Sequence, residues 1–137
     1  MDRISKKRRS WNMSRIRSED TRPELVVRKF LYKKGFKYRI KNKLFGKPDI
    51  IFPVDKVAIF INGCFWHKHG CKNSVMPKTN RNFWKNKLNS NVNRDRKVRR
   101  VLKREGWNIY KIWECELERV QKKTLYKLSN FLKSKGI

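Results

Sequence analysis

Apolar positions along this chain change their period several times, and each change predicts an element boundary. Thr21-Arg22-Pro23-Glu24 has the form of a capping box with proline in the first turn, and Leu25, Val26, Phe30 and Leu31 follow at helical spacing as far as Gly35. Phe36, Tyr38 and Ile40 alternate with basic residues, which predicts a half-buried strand. Asp49-Ile50-Ile51-Phe52 and Val57-Ala58-Ile59-Phe60-Ile61 flank Pro53-Val54-Asp55-Lys56, the composition of a hairpin between buried strands. From Thr79 to Glu105 there is neither proline nor glycine. Phe83, Leu88, Val92, Val98, Val101 and Leu102 there predict one long helix or two abutting ones, closed by Gly106. Trp107 to Trp113 is aromatic and β-branched enough for another strand, and Leu125, Leu128 and Leu132 mark a last amphipathic helix. The order helix, three strands, helix, strand, helix predicts a single α/β sandwich around a mixed sheet, with no internal repeat.

Length and charge sharpen this picture. The 137 residues have room for one core. Residues 1–19 are rich in charge and poor in periodic apolar positions, which predicts a basic flexible N-terminal arm ahead of a domain over residues 20–137. With 38 lysines and arginines against 11 acids, the net charge is +27, so the expected partner is a polyanion bound with strong salt dependence. Charge alone fits a ribosomal protein, a nucleoid protein or an anionic-membrane binder equally well. Five tryptophans, eight phenylalanines and 38% apolar residues supply a core, however, and exclude a mere polycationic tail. The start of the chain lacks an apolar h-region, and nothing in the sequence is long and apolar enough to span a membrane. Three cysteines make a disulfide framework awkward and a reducing, intracellular setting the natural expectation.

The densest chemistry lies in Gly63-Cys64-Phe65-Trp66-His67-Lys68-His69-Gly70-Cys71. Cys64, His69 and Cys71 have metal-ligand spacing, and Cys115, carried back by the strand before it, can complete a tetrahedral zinc site. Either imidazole can coordinate; His69 as the ligand leaves His67 for chemistry. The bland alternative is three unrelated buried cysteines and two surface histidines. Asp49, at the start of an apolar strand, either holds Mg²⁺ at a sheet end or is a turn aspartate accepting backbone N–H bonds. Glu24, as the last residue of the capping box, reads first as structural. Asp95 either pairs with Arg99 on its helix or orients an imidazole beside it. Phe65 and Trp66 are core anchors or apolar wedges for a duplex, Trp66 being the better wedge by its place before His67.

Taken together, Pro48-Asp49, Gly63-Cys64-Phe65-Trp66-His67-x-His69-x-Cys71, Pro77-Lys78-Thr79-Asn80-x-x-Phe83-Trp84, Asn91-x-x-Arg94-Asp95, Gly106-Trp107 and Trp113-Glu114-Cys115 resemble the very short patch repair endonucleases. These are the Vsr family of bacterial mismatch nickases. The resemblance runs from about Asn12 to Cys115 and rests on dense, ordered motifs. It implies a fold of the PD-(D/E)XK restriction-endonuclease type, with a structural zinc and a separate magnesium centre. It implies action on double-stranded DNA holding a T·G mismatch left by deamination of 5-methylcytosine. The strand is nicked 5′ to the thymine, and downstream repair proteins complete the task.

By position, Cys64, His69, Cys71 and Cys115 match the family's zinc ligands, Asp49 its magnesium carboxylate and His67 its catalytic histidine. Glu24 and Asp95 match supporting acids, and Met13, Phe65 and Trp66 match the residues that wedge into DNA. Two departures stand out. Some relatives carry Thr-His where this chain has Ile61-Asn62, so Ile61 can offer a metal only its backbone carbonyl. The usual lysine of the PD-(D/E)XK motif has no counterpart, which hands part of its task to His67. The resemblance further implies a bacterial cytoplasmic, nucleoid-associated protein that works as a monomer. The alternatives are a non-catalytic zinc-containing DNA-binding protein and a restriction-like endonuclease cutting matched sites.

Overall fold

The computed structural model describes residues 21–64 and 79–137; the expected arm and most of the cysteine–histidine segment lie outside them. Helix α1 (Arg22–Lys33) starts where the sequence predicts, with Thr21 as N-cap accepting from the Glu24 N–H and Pro23 in the first turn. It buries Val27 and Leu31 completely, while Val26 and Phe30 are half-buried. Leu25, expected on the core face, is 51% exposed: the inward stripe runs one residue out of phase with the expected one. Helix α2 (Arg81–Arg104) is one uninterrupted helix that buries Leu88, Val98 and Leu102. Two further helices, α3 (Glu114–Arg119) and α4 (Gln121–Ser134), complete the chain, and α3 has no counterpart in the sequence pattern.

Three of these helices stop in the same way. Past α1, the Gly35 N–H bonds the Tyr32 carbonyl and the Phe36 N–H the Leu31 carbonyl; past α2, Gly106 bonds Lys103 and Trp107 bonds Leu102. Past α4, Gly136 bonds Lys133 and Ile137 bonds Leu132. Each is a Schellman motif with glycine at positive φ, and each places an apolar residue just after the glycine back against the core.

The sheet is built from β1 (Ile50–Phe52), β2 (Val57–Asn62) and β3 (Asn108–Trp113), in that spatial order. β1 pairs antiparallel with β2 as the expected hairpin, and β3 joins β2 in parallel after the α2 crossover, so the sheet is mixed. The strand expected at Phe36–Ile40 is reduced to a single antiparallel bridge between Arg39 and Ile51. Ile50, Phe52, Val57, Ile59, Ile61 and Ile112 face α1, α3 and α4, and pack on Val27, Leu31, Leu117, Leu128 and Leu132. Ile51 and Ala58 point the other way, onto Val98 and Leu102 of α2. The result is a three-layer α/β sandwich whose core strands are covered on both faces, which explains their continuous apolar runs. Burial of each Ile or Leu stabilises the fold by roughly 1.5–3 kcal/mol. No helix among the described residues is long and apolar enough to cross a membrane.

Candidate active site

Asp49 stands immediately before β1, opposite the C-terminal end of β2. Its backbone N–H donates to the Ile59 carbonyl at 3.0 Å, extending the ladder by one step. Its carboxylate reaches across to accept the Ile61 N–H at 2.7 Å. Ladder accounting then bears on the Ile61 carbonyl. Continuing the register sets Ile61 opposite Pro48, which has no N–H to donate, and the preceding N–H, that of Lys47, donates to Leu44 at 3.1 Å. The Ile61 carbonyl therefore faces the same side as its N–H, toward Asp49, without a β1 donor.

The first turn of α1 supplies a second carboxylate. Glu24 is only 3% exposed, lies within hydrogen-bonding reach of Asp49 and pairs with Arg28, one helical turn on, at 3.1 Å. Burial pushes the Asp49 carboxyl from its ordinary 3.8 up to about 7. The Ile61 N–H opposes that rise, the Glu24 carboxylate adds to it through charge and hydrogen bonding, and the Arg28 guanidinium relieves it. Two neighbouring carboxylates and a backbone carbonyl on the adjoining strand edge are hard oxygen donors of the kind Mg²⁺ takes. Bound there, the ion would replace the shared proton as the charge that relieves the pair.

The approach to Asp49 is braced from outside the strands. Asn42 donates from Nδ2 to the carbonyls of Ile40 and Pro48, both at 3.0 Å, and accepts the Leu44 N–H at 3.2 Å. Gly46, at φ +82°, packs so closely on Val98 of α2 that a Cβ there would run into the valine methyls. The loop is thus fixed both to itself and to α2.

A second centre stands at the same end of the sheet. The last registered pair of β2 and β3 is Asn62 with Trp113, and two residues further on lie Cys64 and Cys115. Both are buried and neither is joined in a disulfide. The Glu114 carboxylate accepts the Cys64 N–H, while burial and the nearby Glu118 push its pKa up. Two buried thiols on adjacent chain ends are soft donors of the kind zinc prefers. Among the described residues no group of three or more such ligands comes together. His67, His69 and Cys71, with the wedge candidates Met13, Phe65 and Trp66, lie outside those residues.

Of the expected site residues, the structure brings together Asp49, Glu24 and Ile61 on one side, and Cys64 and Cys115 on the other. Asp95 is half-buried on the stripe of α2 that carries Leu88, Asn91, Val98 and Leu102. Its expected partner, His67, is among the residues not described. Sequence reasoning missed Arg28 and Asn42. The i,i+4 spacing from Glu24 was a usable signal for Arg28; Asn42 had none beyond its position in a turn.

The family model described as DNA mismatch endonuclease Vsr matches residues 1–73. The chain is 42% identical over 117 residues to the type II nicking enzyme V.XorIIP of Xanthomonas oryzae, covering 85% of this chain and 86% of that protein. It is 42% identical over 118 residues to the type II nicking enzyme V.NmeAIP of Neisseria meningitidis, covering 85% and 84%. With the DNA mismatch endonuclease Vsr of Escherichia coli it shares 37% identity over 117 residues, covering 85% and 75%. Set beside a basic α/β domain with a buried Glu24 next to Asp49, these likenesses define a DNA endonuclease. The chain belongs to the Vsr family.

Proposed function

We propose that this protein nicks double-stranded DNA 5′ to the thymine of a T·G mismatch arising from deaminated 5-methylcytosine, and so opens the site to downstream repair proteins. The observation that carries this reading is the Asp49–Glu24 pair at the sheet end with the Ile61 backbone turned to it, in a chain of the Vsr family. Relatives named as nicking enzymes support a cut in one strand, and a single cut needs only one such centre, in keeping with a monomer.

In this reading Asp49, Glu24 and the Ile61 carbonyl hold Mg²⁺, which when bound offsets charge on the attacked phosphate and acidifies water. The Ile61 N–H and Arg28 fix the two carboxylates before substrate arrives. His67 moves the proton of the attacking water, and Asp95 steadies the imidazole. Cys64, His69, Cys71 and Cys115 would hold zinc, whose role when bound would be to cross-link the segment bearing His67 to the chain near Cys115. Met13, Phe65 and Trp66 test whether a base step yields; a mismatched step costs less to unstack, so deformability contributes to selection. The working place is nucleoid DNA in the bacterial cytoplasm.

The test is strand-resolved cleavage, with Mg²⁺, of end-labelled duplexes carrying T·G in methyltransferase-type sites, beside matched controls. A break confined to the thymine strand, 5′ to that base, is expected. Binding without any cleavage across the panel would leave a zinc-containing DNA-binding protein, and cuts in both strands of matched duplexes a restriction-like enzyme. His67→Ala should abolish nicking while zinc content and DNA binding stay near those of the parent protein.

A further inference from the structure

The loop ahead of Asp49 is built more firmly than a connector requires, and its tip is aromatic. Asn42 ties its two ends together through the carbonyls of Ile40 and Pro48, and Gly46 seats it on Val98 of α2. Between those anchors Phe45 is held 43% exposed, with the Lys97 ammonium 5.8 Å from its ring centroid. An aromatic ring on an immobilised loop is normally turned into the core; this one is turned out. Lys43 and Lys47 flank it in the loop, both exposed. On α2, Arg94 and Arg100 lie three residues to either side of Lys97 and are exposed as well. Like charges at that helical spacing repel weakly, and a polyanion laid along the ridge would relieve that repulsion.

We propose that Phe45 and the surrounding cations of the loop and of α2 form a second duplex contact, apart from the Phe65–Trp66 segment. There the DNA backbone lies along Arg94, Lys97 and Arg100 while the Phe45 ring meets a groove wall. The contact rests on the nuclease reading for its purpose, since it lays a phosphate backbone beside the loop that leads into Asp49. Its ligand is duplex DNA rather than an acidic protein: the cations follow a helix at regular spacing, and the ring presents an apolar face to sugar or base.

The test is equilibrium binding of the full chain to a matched, fluorescently labelled duplex without divalent metal, over a series of salt concentrations. Phe45→Ala should raise Kd about tenfold and leave the salt slope unchanged. Lys97→Gln should flatten the slope of log K against log salt by about one. Thermal melting in parallel should show both variants folded, because both side chains are exposed. Parental affinity and slope in both variants would overturn the contact even if the protein nicks mismatched DNA. Altered binding in a protein that nicks nothing would uphold the contact and remove the nuclease reading instead.

Discussion

Asp49 accepts one short hydrogen bond, faces one buried carboxylate and holds its proton well above the ordinary aspartate range. Between about pH 4 and pH 7 the folded chain keeps a proton there that an unfolded aspartate has already released. The folded state therefore binds more protons in that window, and with Mg²⁺ withheld stability should fall as pH rises through it. Urea unfolding at pH 5 and pH 8 checks this: Asp49→Asn should remove that part of the decline while abolishing nicking. For the same reason Mg²⁺ binding should strengthen from pH 5 to pH 8 and release a proton near pH 6. Calorimetry in buffers of different ionisation enthalpy would detect it, and equal heats after correction would rule it out. Arg28→Met leaves Glu24 buried beside Asp49 without the Arg28 ion pair, and should cost about 3 kcal/mol by denaturant titration.

At the level of elements, the loop from Ile40 to Pro48 and the face of α2 beneath it act as one support. Gly46→Ala must accept both a positive φ and a collision with Val98, a combined destabilisation of about 2 kcal/mol. Because the displaced loop carries Pro48, nicking should fall further than the population of folded protein does; comparing activity with the folded fraction from circular dichroism separates the two effects. Most of this architecture is legible in the sequence. α1, the β1–β2 hairpin, α2 and β3 follow from periodicity, and Gly35 and Gly106 mark where helices stop. The Phe36–Ile40 alternation overstates its strand because only Arg39 finds a partner in Ile51. The role of Glu24 was harder to read. A capping-box glutamate looks local in sequence, and its meeting with Asp49 depends on α1 crossing the sheet end, a tertiary fact no spacing records. Asp95 follows the same logic: its stripe on α2 is visible only once Leu88 and Leu102 are known to face inward.

For the whole molecule, a charge of +27 carried on a well-packed sandwich makes backbone neutralisation the dominant source of DNA affinity. Raising salt from 50 to 200 mM should weaken duplex binding on the order of a thousandfold or more, for matched and mismatched DNA alike. On the proposed reading, any discrimination comes from the cost of deforming the duplex rather than from charge, and the ratio of the two affinities should change little over the same range. Titrations with both duplexes at several salt concentrations would show whether it does.

The parallel register of β2 and β3 ties the two centres to a single alignment. Ile61, the next-to-last residue of β2, holds Asp49 through its N–H, and Cys64 follows three residues later; β3 ends at Trp113, two residues before Cys115. A slip of one residue between these strands would turn every side chain to the opposite face and would part the cysteines in the same movement. The sheet thus works as an interlock. A chain that has mispaired these strands cannot set Cys64 beside Cys115, so the cysteine pair marks a correctly aligned sheet.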